Sequence, residues 1–167
     1  MSDAGLQFAV LGPLQLWADR ALVPLGAPKQ RAVLGMLVMN RNRAVSVDAL
    51  IDAVWGASPV PAARTSIHSY VSNLRRLLGS GTRDPNRVLA SVPPGYQLNV
   101  EDADCDLGRF VTEKNAGVHA AAAGRFEEAS TYLTAALAEW RGPWFILCLP
   151  FLPSWWRADH VVVAAVT

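Results

Sequence analysis

The chain has 167 residues, half of them apolar, which allows one or two small domains with a buried core and argues against wholesale disorder. Cys105 and Cys148 are too few for a disulfide framework and too far apart for a zinc motif. The start, Met1-Ser2-Asp3-Ala4, lacks the basic region of a secretory signal, so a reducing cytoplasm is the expected compartment.

The formal net charge of +1 conceals an asymmetry. Residues 1–100 carry ten Lys/Arg against five Asp/Glu, and residues 101–167 carry five against nine, so the first part is the one suited to an anion.

Residues 6–25 read as short strands. Leu6 to Leu11 stops at the turn pair Gly12-Pro13, residues 14–18 alternate apolar and polar, and Ala21 to Leu25 returns after an Asp19-Arg20 turn. The pattern predicts a small antiparallel sheet with one solvated face. Pro28 then starts a helix over 29–40 with Val33, Leu34, Leu37 and Val38 on one face. After the polar break 40–43, Ser46 is placed to cap a second helix, with Asp48 in its first turn, an apolar stripe of Leu50, Ile51, Val54 and Trp55, and Gly56 at its end.

Pro61 is expected to open a third helix that runs to Leu78, which completes a helix-turn-helix. Residues 87–92 and 96–100 alternate around Pro93-Pro94-Gly95 and predict a hairpin, the wing. From Asp106 the pattern is helical. One amphipathic helix ends near Gly124, and Phe126, Ala129, Tyr132, Leu133, Ala136, Leu137 and Trp140 mark a second, so that the two form an αα-hairpin. Residues 143–167 are almost free of charge at their start, hold Trp144, Trp155 and Trp156, and show no clean period; the apolar run is too short to span a bilayer, and its prolines break any helix.

The third helix carries the functional signal. At 100° per residue, Ile67, Val71, Leu74 and Leu78 form a seam. Thr65, Ser69, Ser72 and Arg76 lie opposite, flanked by His68 and Asn73, and Arg64 and Arg75 sit between. Residues 61–78 contain no acid. A solvated helix face ordinarily mixes Glu with Lys, whereas a helix in the major groove reads base edges with Arg, Asn, Ser and Thr and is repelled by phosphate wherever it is acidic. The expected base-reading residues are therefore Thr65, His68, Ser69, Ser72, Asn73 and Arg76. Lys29 and Arg31 at the start of the first helix, with Gln30 between them, Arg64 and Arg75, Arg83 and Arg87 before the wing, and Tyr96 past its turn are candidate phosphate contacts.

No nucleophile or carboxylate stands at useful spacing from His68, His119 or His160, and there is no Gly-rich phosphate loop, so neither catalysis, nor a metal, nor a cofactor is expected. Cys105 reads as a buried thiol.

The segments Leu11-Gly12-Pro13-Leu14, residues 28–34, Val47-Asp48-Ala49-Leu50-Ile51, residues 66–78 and Pro93-Pro94-Gly95-Tyr96 resemble, in order, the OmpR-like winged-helix domain. The closer resemblance is to the actinobacterial antibiotic-regulatory-protein (SARP) class. Cys105-Asp106-Leu107-Gly108-Arg109-Phe110 and Ala123-Gly124-Arg125-Phe126 extend it to about residue 142.

The resemblance implies an α+β chain: a winged helix-turn-helix with an N-terminal sheet over 1–102, then the first tetratricopeptide-like helices of a bacterial transcriptional activation domain over 103–142, then a divergent apolar tail over 143–167. It implies a non-enzymatic regulator on promoter DNA, with the third helix in the major groove and the wing on the backbone. In mycobacterial members a forkhead-associated domain follows that binds phosphothreonine on a membrane Ser/Thr kinase. With the pattern departing after Arg141-Gly142-Pro143, the sequence reads as a shortened regulator that competes with longer relatives and lacks the RNA polymerase contact of activation. The short helical array is expected to expose apolar surface. That surface suits self-association, a related regulator, or a second reading in which residues 103–167 form a module that binds and modulates a Ser/Thr kinase.

Overall fold

The computed structural model describes residues 5–82 and 84–142. Two small sheets and a helical hairpin surround a central helix. Strands β1 (Leu6–Ala9), β2 (Gln15–Ala18) and β3 (Ala21–Leu22) form an antiparallel meander in which Phe8 faces Leu16 and Leu6 faces Ala18. Leu6, Phe8, Leu16 and Ala18 point into the core. Asp19 and Arg20 make the tight turn with positive φ, as expected for that pair.

Helix α1 (Pro28–Met39) is the axis of the core. Val33, Leu34, Leu37 and Val38 are fully buried, and Gln30 is buried with its amide donating to the Leu25 carbonyl. Strand β4 (Val45–Ser46) leads directly into α2 (Val47–Trp55), whose first turn is capped by Ser46 Oγ accepting from the Ala49 amide at 3.1 Å.

Helix α3 spans Ala63–Leu78. It begins two residues later than expected, because residues 61–62 form a turn closed by the Ala63 amide on the Val60 carbonyl. Its seam of Ile67, Val71, Leu74 and Leu78 is buried against α1 and α2. Turning that seam outward would expose four aliphatic side chains at a cost on the order of 6–10 kcal/mol. That is comparable with the stability of a whole domain, so packing fixes which face points away.

Residues 85–88 are helical (α4, Pro85–Val88) where strand was expected for Arg87 and Val88. The Asp-Pro pair decides this: Asp84 Oδ1 accepts from the Arg87 amide at 3.1 Å, and Pro85 fits the first helical position. The wing is β5 (Leu89–Val92) and β6 (Gly95–Leu98) in antiparallel register, with β4 on the other side of β6. A Cβ on Gly95 would run into the Val45 carbonyl oxygen, so the close β4–β6 pairing requires glycine there.

A 3₁₀ turn (Asp102–Asp104) leads to α5 (Asp106–Ala122) and the antiparallel α6 (Phe126–Ala138). The buried residues of the pair include small ones, Gly117 and Ala120 on α5 and Ala129 and Ala136 on α6. At Gly117 an added Cβ would lie 2.7 Å from Leu133 Cγ. Val118, Phe126, Leu133 and Leu137 stay exposed, Phe126 at 73%. No helix among the described residues is long and apolar enough to cross a membrane, and the tail 143–167 lies outside them.

The helical hairpin is stitched to the first sheet through Asp106, the first residue of α5. Its buried carboxylate accepts from the amides of Val10 (2.8 and 2.9 Å), Leu11 (2.9 Å) and Leu107 (2.7 Å), and Arg141 approaches it at 3.3 Å. Beside it, Phe8 and Cys105 form a parallel bridge, and the Arg141 amide donates to the Leu11 carbonyl at 2.6 Å. Arg109 holds the far end of α6 through two 2.8 Å hydrogen bonds to Glu139, which pull that carboxyl below its ordinary range. Burial of Cys105 pushes its thiol up, toward the unreactive protonated form.

Asp106→Ala strands buried amide donors at about 1–3 kcal/mol each. We expect a loss of about 3 kcal/mol in urea unfolding followed by tryptophan fluorescence; a loss below about 1 kcal/mol contradicts the role given to this carboxylate.

Candidate nucleic-acid interface

The fixed rotation of α3 carries six side chains to its outer side. Thr65, His68, Ser69, Ser72, Asn73 and Arg76 are all exposed, and none lies beneath another described element. Ser69 Oγ donates back to the Thr65 carbonyl at 3.1 Å, which leaves its lone pairs outward. No acid interrupts this face, since the charged and titratable side chains of α3 are Arg64, His68, Tyr70, Arg75 and Arg76.

The basic residues around α3 divide into two kinds. Lys29 and Arg31 are exposed at the first turn of α1, with Lys29 Nζ 4.8 Å from the centre of the Trp55 ring and Arg31 donating to the Gly26 carbonyl at 3.1 Å. Trp55 also stacks on Tyr70 of α3 at 6.5 Å, which ties the start of α1 to the recognition helix. Arg64 is exposed and paired with Asp48 of α2, and Arg87 is exposed on α4. All four are exposed to solvent. The pair at Arg64 is open to water on both partners, and such pairs are worth at most about 1 kcal/mol.

Arg75 and Tyr96, also expected as phosphate contacts, are of the other kind: each is engaged within the protein. Arg75 donates from Nε to the Leu89 carbonyl and from Nη2 to Ser91 Oγ, both at 2.9 Å, and its guanidinium lies 5.6 Å from the centre of the Tyr96 ring. It is a strut between α3 and the wing. Tyr96 is 8% exposed; its ring belongs to the core and its hydroxyl meets His68 Nδ1 at 2.6 Å. Gln30, between Lys29 and Arg31, is likewise an internal bond and not a surface contact. Arg83 lies outside the described residues.

Sequence reasoning missed the Arg75–Ser91 strut and the Asp48–Arg64 pair. Neither has a local signal, because each joins residues at least sixteen apart. The exposed face of α3, in contrast, followed from periodicity alone.

A helix-turn-helix braced by a wing, with an acid-free outer helix face and a helical pair behind it, defines a winged-helix regulator. Comparison with known proteins agrees. Residues 23–98 match the family described as "Transcriptional regulatory protein, C terminal", and residues 105–160 match the "Bacterial transcriptional activator domain", a match that runs beyond the described residues. The transcriptional regulatory protein EmbR of Mycobacterium tuberculosis is 67% identical over 138 residues, covering 83% of this chain and 36% of EmbR. The transcriptional regulatory protein MoaR1 of the same species is 50% identical over 139 residues, covering 83% of this chain and 45% of MoaR1. The solved structure of Mycobacterium tuberculosis EmbR in complex with a low-affinity phosphopeptide is similar at a TM-score of 0.82 and 64% identity, across 87% of this chain and 38% of that one. The chain belongs to the winged-helix transcriptional regulators of the SARP class, and it spans less than half the length of these relatives.

Arg75→Ala removes two hydrogen bonds and a ring contact and is expected to cost about 1–2 kcal/mol of stability. Arg76→Ala, one residue on, is expected to stay within about 0.5 kcal/mol, as an exposed substitution does. Paired urea titrations check this; equal effects from the two variants contradict the division between strut and surface.

Proposed function

We propose that this chain binds double-stranded promoter DNA sequence-specifically and regulates transcription from it. The observation that carries the reading is the exposed, acid-free outer face of α3. A single helix enters the major groove, and there Arg76 is suited to a guanine edge, Asn73 to an adenine edge, and Thr65, Ser69 and Ser72 to either donors or acceptors. Lys29, Arg31, Arg64 and Arg87 take phosphates, where they set position and orientation but carry no sequence information. The Arg75 strut holds the wing beside the recognition helix, so that the hairpin follows the backbone when α3 is seated.

No enzymatic step is part of this reading. A 138-residue alignment within 167 residues necessarily includes α3, so at 67% identity the chain is expected to seek the same kind of promoter site as its longer EmbR relatives and to compete with them there. A second reading, an interaction module for a Ser/Thr protein kinase, is favoured by the phosphopeptide bound to EmbR and by the exposed apolar residues of α5 and α6. Retention of no phosphorylated kinase by the immobilised full chain contradicts that second reading.

Fluorescence anisotropy with a tandem-repeat promoter duplex and a scrambled duplex tests the DNA reading. Arg76→Ala is expected to weaken the specific complex at least tenfold and to leave the scrambled one unchanged, while Arg64→Ala weakens both alike and lowers the salt dependence by about one counterion. Equal affinity of the unmodified chain for both duplexes contradicts sequence-specific binding.

A further inference from the structure

His68 is the one base-facing side chain whose ring nitrogens are not equivalent in this structure. Its Nδ1 is 2.6 Å from the hydroxyl of Tyr96, and the two rings meet edge-on with centres 6.1 Å apart. His68 is exposed on α3, whereas Tyr96 is buried in β6, so a core residue of the wing holds a surface residue of the recognition helix. Arg75, from the same helix, also contacts the Tyr96 ring. Its guanidinium lies over the Tyr96 ring and is itself fixed to Leu89 and Ser91.

Resting on the DNA-reading function above, we propose that Tyr96 is a positioning residue that sets the tautomer of His68 and thereby the kind of base His68 reads. A neutral imidazole has one N–H donor and one acceptor, and the partner of one nitrogen decides the role of the other. The phenol is the natural donor in this pair. A phenolic O–H is a stronger hydrogen-bond donor than a neutral imidazole N–H, and an imidazole nitrogen accepts better than a phenol oxygen.

Tyr96 then donates to Nδ1, and the proton of His68 resides on Nε2, the nitrogen that the phenol does not engage. An outward N–H donor pairs with the major-groove acceptors: guanine O6 and N7, adenine N7 or thymine O4. The opposite tautomer would present a lone pair and select the amino groups of cytosine or adenine. Tyr96 touches no base, yet it determines specificity at one position of the site.

Selection from a randomised duplex library with the full chain, Tyr96→Phe and His68→Ala tests this. Tyr96→Phe keeps the ring in the core and removes only the hydroxyl. The unmodified chain is expected to enrich an acceptor-bearing edge, guanine foremost, at the position that His68→Ala releases. Tyr96→Phe is expected to lose about tenfold in preference at that same position and to retain the rest of the motif, and the two changes together are expected to be no worse than His68→Ala alone.

Long-range ¹H–¹⁵N spectra give a readout that needs no DNA. His68, assigned among the three histidines by its loss in His68→Ala, is expected to carry its proton on Nε2 in the unmodified chain and to populate both tautomers in Tyr96→Phe. Selection of cytosine at the His68 position, an unchanged preference in Tyr96→Phe, or a proton on Nδ1 overturns the proposal while leaving DNA reading intact. A chain that selects no motif overturns the DNA reading itself and this proposal with it.

Discussion

Burial of one side of α3 is the constraint from which the rest follows. Ile67, Val71, Leu74 and Leu78 have essentially no solvent exposure, and the helix is amphipathic enough that only one rotation hides them all. Everything chemically interesting about α3 is set by what that rotation leaves outside. The outer face is polar and free of carboxylate, which is a poor way to build an ordinary solvated helix and a suitable way to meet a polyanion. The core therefore does more than stabilise: it leaves six exposed side chains on one side of the helix, and of these His68 also touches the buried Tyr96.

Two further sets of contacts fix the elements around α3. The wing is held to α3 by Arg75 and through the Tyr96–His68 contact. The N-terminal sheet and the helical hairpin are joined by the Asp106 carboxylate, which gathers the backbone amides of Val10 and Leu11 onto the first turn of α5. An acid at a helix start is favoured by the helix dipole, and here it also serves amides nearly a hundred residues away. The acidic part of the chain is thus fastened to the basic part by a buried carboxylate, together with the Phe8–Cys105 bridge and the Arg141 amide on the Leu11 carbonyl. The α5–α6 pair buries Gly117, Ala120, Ala129 and Ala136 and leaves Val118, Phe126 and Leu137 exposed.

Much of this was legible in the residues because the signals are local. The seam of α3, the Ser46 cap, the Asp19-Arg20 turn and the helical break at Gly124 are all fixed by neighbours within a few positions. The misreadings have physical reasons. Arg87 and Val88 alternate like a strand, but the preceding Asp84-Pro85 caps a short helix and prevails. Tyr96 follows a turn in a polar stretch and looks like a surface residue, yet its register opposite Val45 in β4 places it in the core. Arg75 sits beside the outer face on a helical wheel, and only the position of β5 shows that its guanidinium is already engaged. Asp106 carries no sequence signal beyond being an acid at a helix start, because its partners come from the other end of the chain.

An NMR titration of the isotope-labelled full chain with its selected duplex tests the central claim most directly. Placement of α3 in the groove requires the amides of Thr65, His68, Ser69, Ser72, Asn73 and Arg76 to shift together, with those of Lys29, Arg31 and the wing following. Shifts confined to α5 and α6, with the α3 amides unmoved, would contradict it.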